Sequence, residues 1–278
     1  MERLVYYNGE IKPYDEVKID LEDRGYLFAD GVYEVINVYN GQPFKMEEHF
    51  QRLKNSVEGL KIIFEDYKKL KEQANILLKK NDFKDASLYI QITRGTAPRS
   101  HAYPDGMEAN VMMIVKKLKR NPDSYYENGI KIITVADERW PRAYIKSISL
   151  LPNILAKKKA KNEGAFEAVQ IRDGFITEGT SSNIFIVKDD KVITPPASNY
   201  ILNGISRRVV LDICVELKIE YRERGIAEDE LYSADEVFLS GTTTEVMPVA
   251  EINNYSLGNG SSGNISRRIF KFYRNLLG

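Results

Sequence analysis

Residues 176–210 read ITEGTSSNIFIVKDDKVITPPASNYILNGISRRVV, and the two ends of this stretch ask for different structures. The apolar run at 183–187 predicts a strand, and the Glu178-Gly-Thr-Ser-Ser segment ahead of it has the composition of a hairpin turn whose side chains satisfy their own backbone. As a chemical group, the Glu178 carboxylate could instead hold a heterocyclic nitrogen protonated, because an ion pair in a partly desolvated site favours both charged forms. Further on, an apolar periodicity predicts a helix over 205–217 with Gly204 directly before it. The free backbone N–H groups at such a start, close approach allowed by Gly204 and the Ser206 hydroxyl suit an anion, although a glycine before a helix is common.

Working outward, residues 144–152 read YIKSISLLP. If this run is a strand, Lys146 shares a face with Tyr144, Ile148 and Leu150. An ammonium on an apolar face costs several kcal/mol or gives up its proton, and a neutral lysine amine is the usual nucleophile for a Schiff base. Downstream, LSGTTTEVMP places Gly241 before Thr242, Thr243 and Thr244, a backbone nest with hydroxyls that fits either a phosphate or an ordinary polar loop.

Toward the N-terminus, Asn8-Gly9 and Asn40-Gly41 are the dipeptides that type I′ hairpins prefer. Between them Tyr33, Val35, Asn37 and Tyr39 alternate with Glu34, Ile36 and Val38 and predict a strand. Phe50, Leu53, Val57 and Leu60 have the spacing of an amphipathic helix over 47–60, with Arg52 beside the stripe; a second helix is expected over 65–80. Strands at 87–93 and 110–116 enclose the polar loop TRGTAPRSHAYPDG, in which Arg99 can grip a carboxylate bidentately and His101 can add a donor.

Residues 118–124, LKRNPDS, are the best candidate for a linker. They divide the chain into a small N-terminal domain, 1–119, and a larger domain, 120–278, that carries Lys146. In the second part strands are expected at 130–135, 144–149, 167–171, 183–187 and 236–239, with a lysine-rich helix at 153–162. The segment NNYSLGNGSSGN at 253–264 reads as a mobile loop.

With 278 residues and 43% hydrophobic composition the chain can bury a sizeable core. Lys plus Arg and Asp plus Glu balance at 40 each, which gives no electrostatic footprint for nucleic acid or an anionic membrane. One cysteine, Cys214, fits an apolar helix face, excludes internal disulfides and agrees with a reducing, cytoplasmic setting. No run is long and apolar enough to span a bilayer, and two histidines with one cysteine are too few soft ligands for a zinc or iron site.

Glu178, Asn183, Phe185, Thr194, Leu202, Gly204, Ile205 and Arg207 together resemble the long signature of the class IV, or fold type IV, pyridoxal-phosphate aminotransferases: an acid, Asn-Ile-Phe, Val-x-Thr, then Leu-x-Gly-Ile-x-Arg. The resemblance runs from DRGYLFADGVYEV to the SGTTTE loop and is strongest to the bacterial D-amino acid aminotransferase branch. It implies an α+β architecture, with a small α/β domain and a larger strand-rich pseudo-barrel domain. It also implies that Lys146 forms the Schiff base with pyridoxal 5'-phosphate and that Glu178 pairs with the pyridine nitrogen. Leu202 would pack on the ring, while Arg52, Gly204, Ile205, Ser206, Thr242 and Thr243 would hold the phosphate. By the same resemblance Tyr33, Arg99 and His101 bind the substrate carboxylate, Val35 and Asn37 line the substrate's place, and the 94–106 loop reaches the partner's active site in a homodimer.

The implied reaction is ping-pong transamination between a D-amino acid such as D-alanine and 2-oxoglutarate, without metal. Branched-chain L-amino acid aminotransferases share the cofactor residues but generally lack the Arg-x-His arrangement; an enzyme of that kind, or one accepting both hands, is the alternative. An aminodeoxychorismate lyase and a non-catalytic binding protein are remoter ones. Asn37 stands where the D-specific pattern has a lysine, which bears on the range of side chains accepted.

Overall fold

The computed structural model describes residues 3–257 and 263–278, in two compact units. The first comprises Met1–Lys119 together with Ile145–Ser149, and the second Arg120–Tyr144 with Leu150–Gly278.

The first unit contains β1 (Leu4–Tyr7), β2 (Glu10–Pro13), α1 (Arg24–Phe28), β3 (Gly31–Tyr39), β4 (Gln42–Pro43), α2 (Met46–Gly59), α3 (Tyr67–Asn81), β5 (Ala86–Thr93) and β6 (Asn110–Lys117). Its strands form one antiparallel sheet in the order β2-β1-β6-β5-β3-β4. Both Asn-Gly pairs turn hairpins with positive φ at each residue, 43° and 98° at Asn8 and Gly9, 50° and 78° at Asn40 and Gly41. The pairing of β3 with β5 runs unbroken from Gly31 opposite Thr93 to Val38 opposite Ala86, so the period of two holds along the strand. Val32, Ile36 and Val38 therefore meet Leu53 and Val57 of α2 and Leu70, Ala74 and Leu77 of α3 in one core, each Val, Leu and Ile side chain contributing roughly 2 kcal/mol relative to exposure.

Ile145–Ser149 differs from its sequence expectation in two ways. It packs with the first unit, not with the larger C-terminal part, because the Tyr33 N–H donates to Lys146 O at 3.0 Å, the Ile148 N–H donates to Gly31 O at 3.0 Å, and Ser147 bridges Val32. It is also no regular strand. The chain turns through 141–144 and only Ser147 makes a bridge, so the buried positions are Ile145 and Ser147 while Tyr144 is exposed. Lys146, between those two, is only half-buried. The face assignment failed because a period of two applies only where a ladder holds the backbone extended.

The second unit contains α4 (Asp123–Asn128), β7 (Ile130–Ala136), α5 (Leu151–Asn162), β8 (Glu167–Arg172), β9 (Phe175–Gly179), β10 (Asn183–Lys188), β11 (Lys191–Thr194), α6 (Ile205–Glu216), β12 (Tyr221–Glu223), α7 (Glu230–Ser233), β13 (Glu236–Gly241), β14 (Glu245–Ile252), β15 (Tyr255–Ser256) and α8 (Asn264–Asn275). Its sheet has nine strands in the order β12-β11-β10-β13-β14-β7-β8-β9, with β15 on β14. β9 ends the sheet and β10 lies third from the other end, yet only three residues join them and the Gly179 N–H donates to Ser182 O at 2.7 Å. The sheet must therefore curl on itself, which makes the half-barrel of an α+β unit. Along α6, Val209 with Ile213 and Val210 with Cys214 form the buried stripe at i, i+4 spacing. Burial raises the Cys214 thiol to about 12, out of reach of thiolate chemistry.

Helix α5 begins two residues earlier than expected, with Pro152 in its first turn, where a missing N–H costs nothing. The loop expected over 253–264 includes residues 258–262, which lie outside the described ones. Among the described residues no helix is long and apolar enough to cross a membrane.

Candidate active site

In the first unit Lys146 lies against Ser56 of α2 and Tyr33 of β3. The Lys146 N–H donates to Ser56 Oγ at 3.2 Å, and its amine lies 4.2 Å from the centre of the Tyr33 ring, close enough for a cation–π contact. Tyr33 stacks on Tyr89 from β5, and Val35 and Asn37 share its face of the sheet. Asn37 is buried and donates from Nδ2 to Tyr39 Oη at 3.0 Å.

The opposite face of β3 carries Glu34, wholly buried among apolar side chains. Arg52 donates to it twice, from Nε to Oε1 at 2.7 Å and from Nη2 to Oε2 at 2.8 Å, and His49 Nδ1 lies 2.7 Å from Oε2. Burial alone would raise the Glu34 carboxyl, but the charge and hydrogen bonds of Arg52, aided by His49, outweigh it and hold it down at about 2. Burial lowers His49, more than the Glu34 contact raises it. The orientation of Arg52 is thus set by a carboxylate on the strand, and Nη1 is the arm not engaged by Glu34.

Arg99 and His101 lie exposed on the loop between β5 and β6 and meet on one aromatic ring. The Arg99 guanidinium sits 5.3 Å from the Phe28 ring centre, and the His101 ring meets Phe28 edge-on at 5.8 Å.

In the second unit Glu178 lies within β9, one residue before its end, instead of standing in a turn, and the turn is made by Thr180–Ser182. One Glu178 oxygen, Oε1, accepts from Arg139 Nη1; the other, Oε2, accepts from Asn183 Nδ2 and the Leu202 N–H, both at 3.1 Å. Arg139 is held in turn by Asp137, by Thr177 Oγ1 at 3.2 Å and by Tyr200 O at 2.8 Å. Burial alone would raise the Asp137 carboxyl, but Arg139, assisted by Arg172, brings it down to about 2. Beneath the turn, the wholly buried Glu167 accepts from Thr180 Oγ1, Ser181 Oγ and Ser182 Oγ.

Gly204 precedes α6, and a Cβ there would lie 2.1 Å from Asn183 Oδ1. No side chain caps the helix; the Arg208 N–H donates to Gly204 O at 3.0 Å, which leaves the N–H groups of Ile205, Ser206 and Arg207 ahead of the helix's own ladder. The Ser206 hydroxyl is already engaged with Tyr273 Oη at 3.0 Å, so its backbone, more than its side chain, offers the anion contact. Thr242 and Thr243 lie on the turn between β13 and β14, whose backbone is anchored by Asn121 Nδ2 donating to Thr243 O at 2.9 Å.

Several of these residues escaped the sequence reading. Glu34 carried a signal, since the alternation that puts it with Ile36 and Val38 places a carboxylate on a core face, where it demands a cation. Arg139, 39 residues from Glu178, carried none.

The amino-transferase class IV family model matches residues 31–252. The D-alanine aminotransferase of Bacillus licheniformis is 43% identical over 95% of this chain and 94% of its own length, and that of Staphylococcus epidermidis is 41% identical over the same shares. Among solved structures, the Escherichia coli branched-chain amino acid aminotransferase superposes with a TM-score of 0.93 at 27% identity, covering 100% of this chain and 95% of that one. A T.th. branched-chain amino acid aminotransferase with pyridoxamine 5'-phosphate does so with 0.93 at 26% identity, covering 99% and 94%. A family match over most of the chain and relatives above 40% identity agree with the lysine, acid and helix-start geometry: the chain belongs to the class IV aminotransferases.

Proposed function

We propose that this aminotransferase moves the amino group of D-amino acids, D-alanine among them, to a 2-oxo acid such as 2-oxoglutarate, with pyridoxal 5'-phosphate as cofactor. What supports the choice of hand is the Arg-x-His arrangement of the D-specific branch, matched by Arg99 and His101, which meet on the Phe28 ring. Two cationic or donor groups presented side by side suit an α-carboxylate, and the relatives called D-alanine aminotransferases match over nearly the full chain. The likeness to branched-chain enzymes rests on fold at 26–27% identity and favours the alternative less.

The residues fit the cofactor. Lys146 has an amine with an aromatic face beside it and no carboxylate partner among the described residues. Glu178 is held by Arg139, Asn183 and the Leu202 backbone in a single pose. At the base of the SGTTTE turn the Ser240 hydroxyl is wholly buried with no hydrogen-bond partner among the described residues, as a site built for further acceptors would leave it.

When bound, pyridoxal phosphate supplies an electrophilic carbon and a ring that stores the electron pair released at the substrate's α-carbon. Lys146 Nζ would hold that carbon, and its free amine would take the substrate's α-proton and return it, as base then acid. The Glu178 carboxylate holds a proton on the ring nitrogen, and Arg139 keeps the carboxylate turned to its task. Arg52, oriented by Glu34, and the N–H groups of Ile205 and Ser206 bind the phosphate, with Gly204 allowing the approach and Thr242 and Thr243 completing the set. Leu202 packs on the ring. Tyr33, Arg99 and His101 bind the substrate's carboxylate, and Val35 and Asn37 border its side chain.

The form proposed is a cytoplasmic homodimer in which the 94–106 loop serves the partner's site. Arg99 and His101 are exposed on their own unit, and the first unit also shows Leu21 and Tyr26, 76% and 73% exposed, at the rim of a cleft of about 510 Å³. Initial rates with D-alanine varied at several fixed 2-oxoglutarate concentrations test the reaction. Parallel double-reciprocal lines are expected, and intersecting lines or no oxo-acid product would contradict it.

A further inference from the structure

The loop that presents Arg99 and His101 is tied down by charges that the transamination chemistry does not use. Arg24 in α1 and Arg94 at the end of β5 are both buried, at 4% and 6% exposure, and they share one carboxylate, Asp30. Arg24 donates from Nε to Asp30 Oδ2 at 3.0 Å; Arg94 donates from Nε to Oδ2 at 2.8 Å and from Nη2 to Oδ1 at 2.9 Å. The remaining arms of Arg24 reach the loop itself, with Nη1 donating to Ser100 O at 2.6 Å and Nη2 to His101 O at 3.4 Å. Those carbonyls belong to the two residues that follow Arg99. The spare donors of Arg94 go the other way, to Leu60 O at 2.8 Å and Lys61 O at 3.0 Å behind α2.

Aromatic faces complete the enclosure. Arg94 lies 3.8 Å from the Tyr103 ring centre and Arg24 lies 4.7 Å from that of Phe28, the ring on which Arg99 and His101 meet. The base of the loop is equally constrained. Gly95 has φ +108°, and a Cβ there would lie 1.9 Å from Glu108 O, while the Arg24 N–H donates to Gly95 O at 2.9 Å and the Arg94 N–H to Asp30 O at 3.1 Å.

Two buried guanidiniums on one carboxylate leave a net positive charge, which carbonyl oxygens and ring faces share. Such a cluster holds one arrangement well and tolerates the loss of its anion poorly. We propose that Asp30, with Arg24 and Arg94, is a positioning cluster that sets the pose of Arg99 and His101 for an α-carboxylate, and so governs substrate affinity without touching substrate. The inference deepens the proposed function and rests on it. It holds in whichever subunit's site the loop acts.

The test is the single-turnover half-reaction of the holoenzyme with D-alanine, set beside reaction of the same holoenzyme with phenylhydrazine, which attacks the bound cofactor but has no carboxylate. Asp30→Asn removes the shared anion. Arg24→Lys keeps a charge but loses the fork to Ser100 and His101, and so guards against a variant that merely fails to fold. The expected result for both is a loss of D-alanine affinity of about tenfold or more, a maximal rate within about threefold of wild type and an unchanged phenylhydrazine rate. Unchanged D-alanine affinity in both variants, or a phenylhydrazine rate that falls in parallel, would overturn the proposal. Wild-type protein that ignores D-amino acids but is converted by an L-amino acid would sink the D-specific reading alone; the cluster is then judged by the same ratios on that amino acid.

Discussion

The amine of Lys146 rests 4.2 Å from the centre of the Tyr33 ring, and no carboxylate of the described residues pairs with it. An amine that no carboxylate holds in an ion pair is not committed to a structural salt bridge, which leaves it available as a nucleophile. Lys146→Ala should therefore abolish the visible absorbance of the cofactor-bound protein and lower turnover by at least about a thousandfold. Borohydride reduction of wild type followed by mass spectrometry should place the phosphopyridoxyl label on Lys146; a label on another lysine would show the role misassigned.

Arg139 stands between two buried carboxylates, Asp137 and Glu178. Its own ionisation is raised because the hydrogen bond to Asp137 and the charges of Glu178 and Asp137 outweigh the lowering by burial. Arg139→Leu leaves both acids without their cation and should destabilise the protein by about 3–5 kcal/mol, read as a shift of the urea midpoint. Glu178→Gln keeps the shape and removes the charge, so turnover should fall by about a hundredfold while the cofactor stays bound to Lys146. Full activity in Glu178→Gln would remove the acid from the mechanism.

Acid should unfold this protein through identifiable groups. The folded Glu34 carboxyl, at about 2, lies below its ordinary 4.5, so its stabilising contribution is complete above 4.5 and disappears as pH falls toward 2. Asp137 behaves alike between 3.8 and about 2. His49 is lowered from 6.5 by burial, so the unfolded chain holds the extra proton and stability declines as pH drops below 6.5. The three act in the same direction. In chemical denaturation followed from about pH 7 downward, Glu34→Gln should flatten the acid limb by an amount on the order of 3 kcal/mol; an acid limb identical to wild type would mean that Glu34 is not the group responsible.

Gly204 is required by space and not by backbone conformation, since its φ of −61° suits any residue. A Cβ would press on Asn183 Oδ1, and Asn183 holds both Glu178 and the Leu202 carbonyl. Gly204→Ala should weaken pyridoxal phosphate binding by about tenfold in a fluorescence titration, with a smaller change in thermal midpoint. Equal affinity would show that Asn183 can yield without cost.

What the sequence disclosed and what it hid divide along physical lines. The Asn-Gly turns, β3 and the buried stripe of α6 were legible because local conformation and periodicity decide them. Lys146 was found by an argument from strand register that the backbone does not obey, since the chain turns through 141–144 and only Ser147 makes a bridge, and it was the resemblance to a known signature that gave it a role. Glu178 was read as standing in a turn because its neighbours Thr180–Ser182 form one. The partners that hold the site, Arg139 for Glu178, Glu34 for Arg52 and Asp30 for the two loop arginines, are pairings across 39, 18, 6 and 64 residues. Nothing in local composition ties such residues together; only the closed fold does.

The central claim, transamination of D-amino acids through Lys146, is tested most directly by mixing the pyridoxal-phosphate holoenzyme with a single amino acid and no acceptor. D-Alanine should bleach the visible band to that of the pyridoxamine form and release pyruvate in equal amount, while L-leucine leaves the spectrum unchanged. Bleaching by L-leucine with no response to D-alanine would contradict the account.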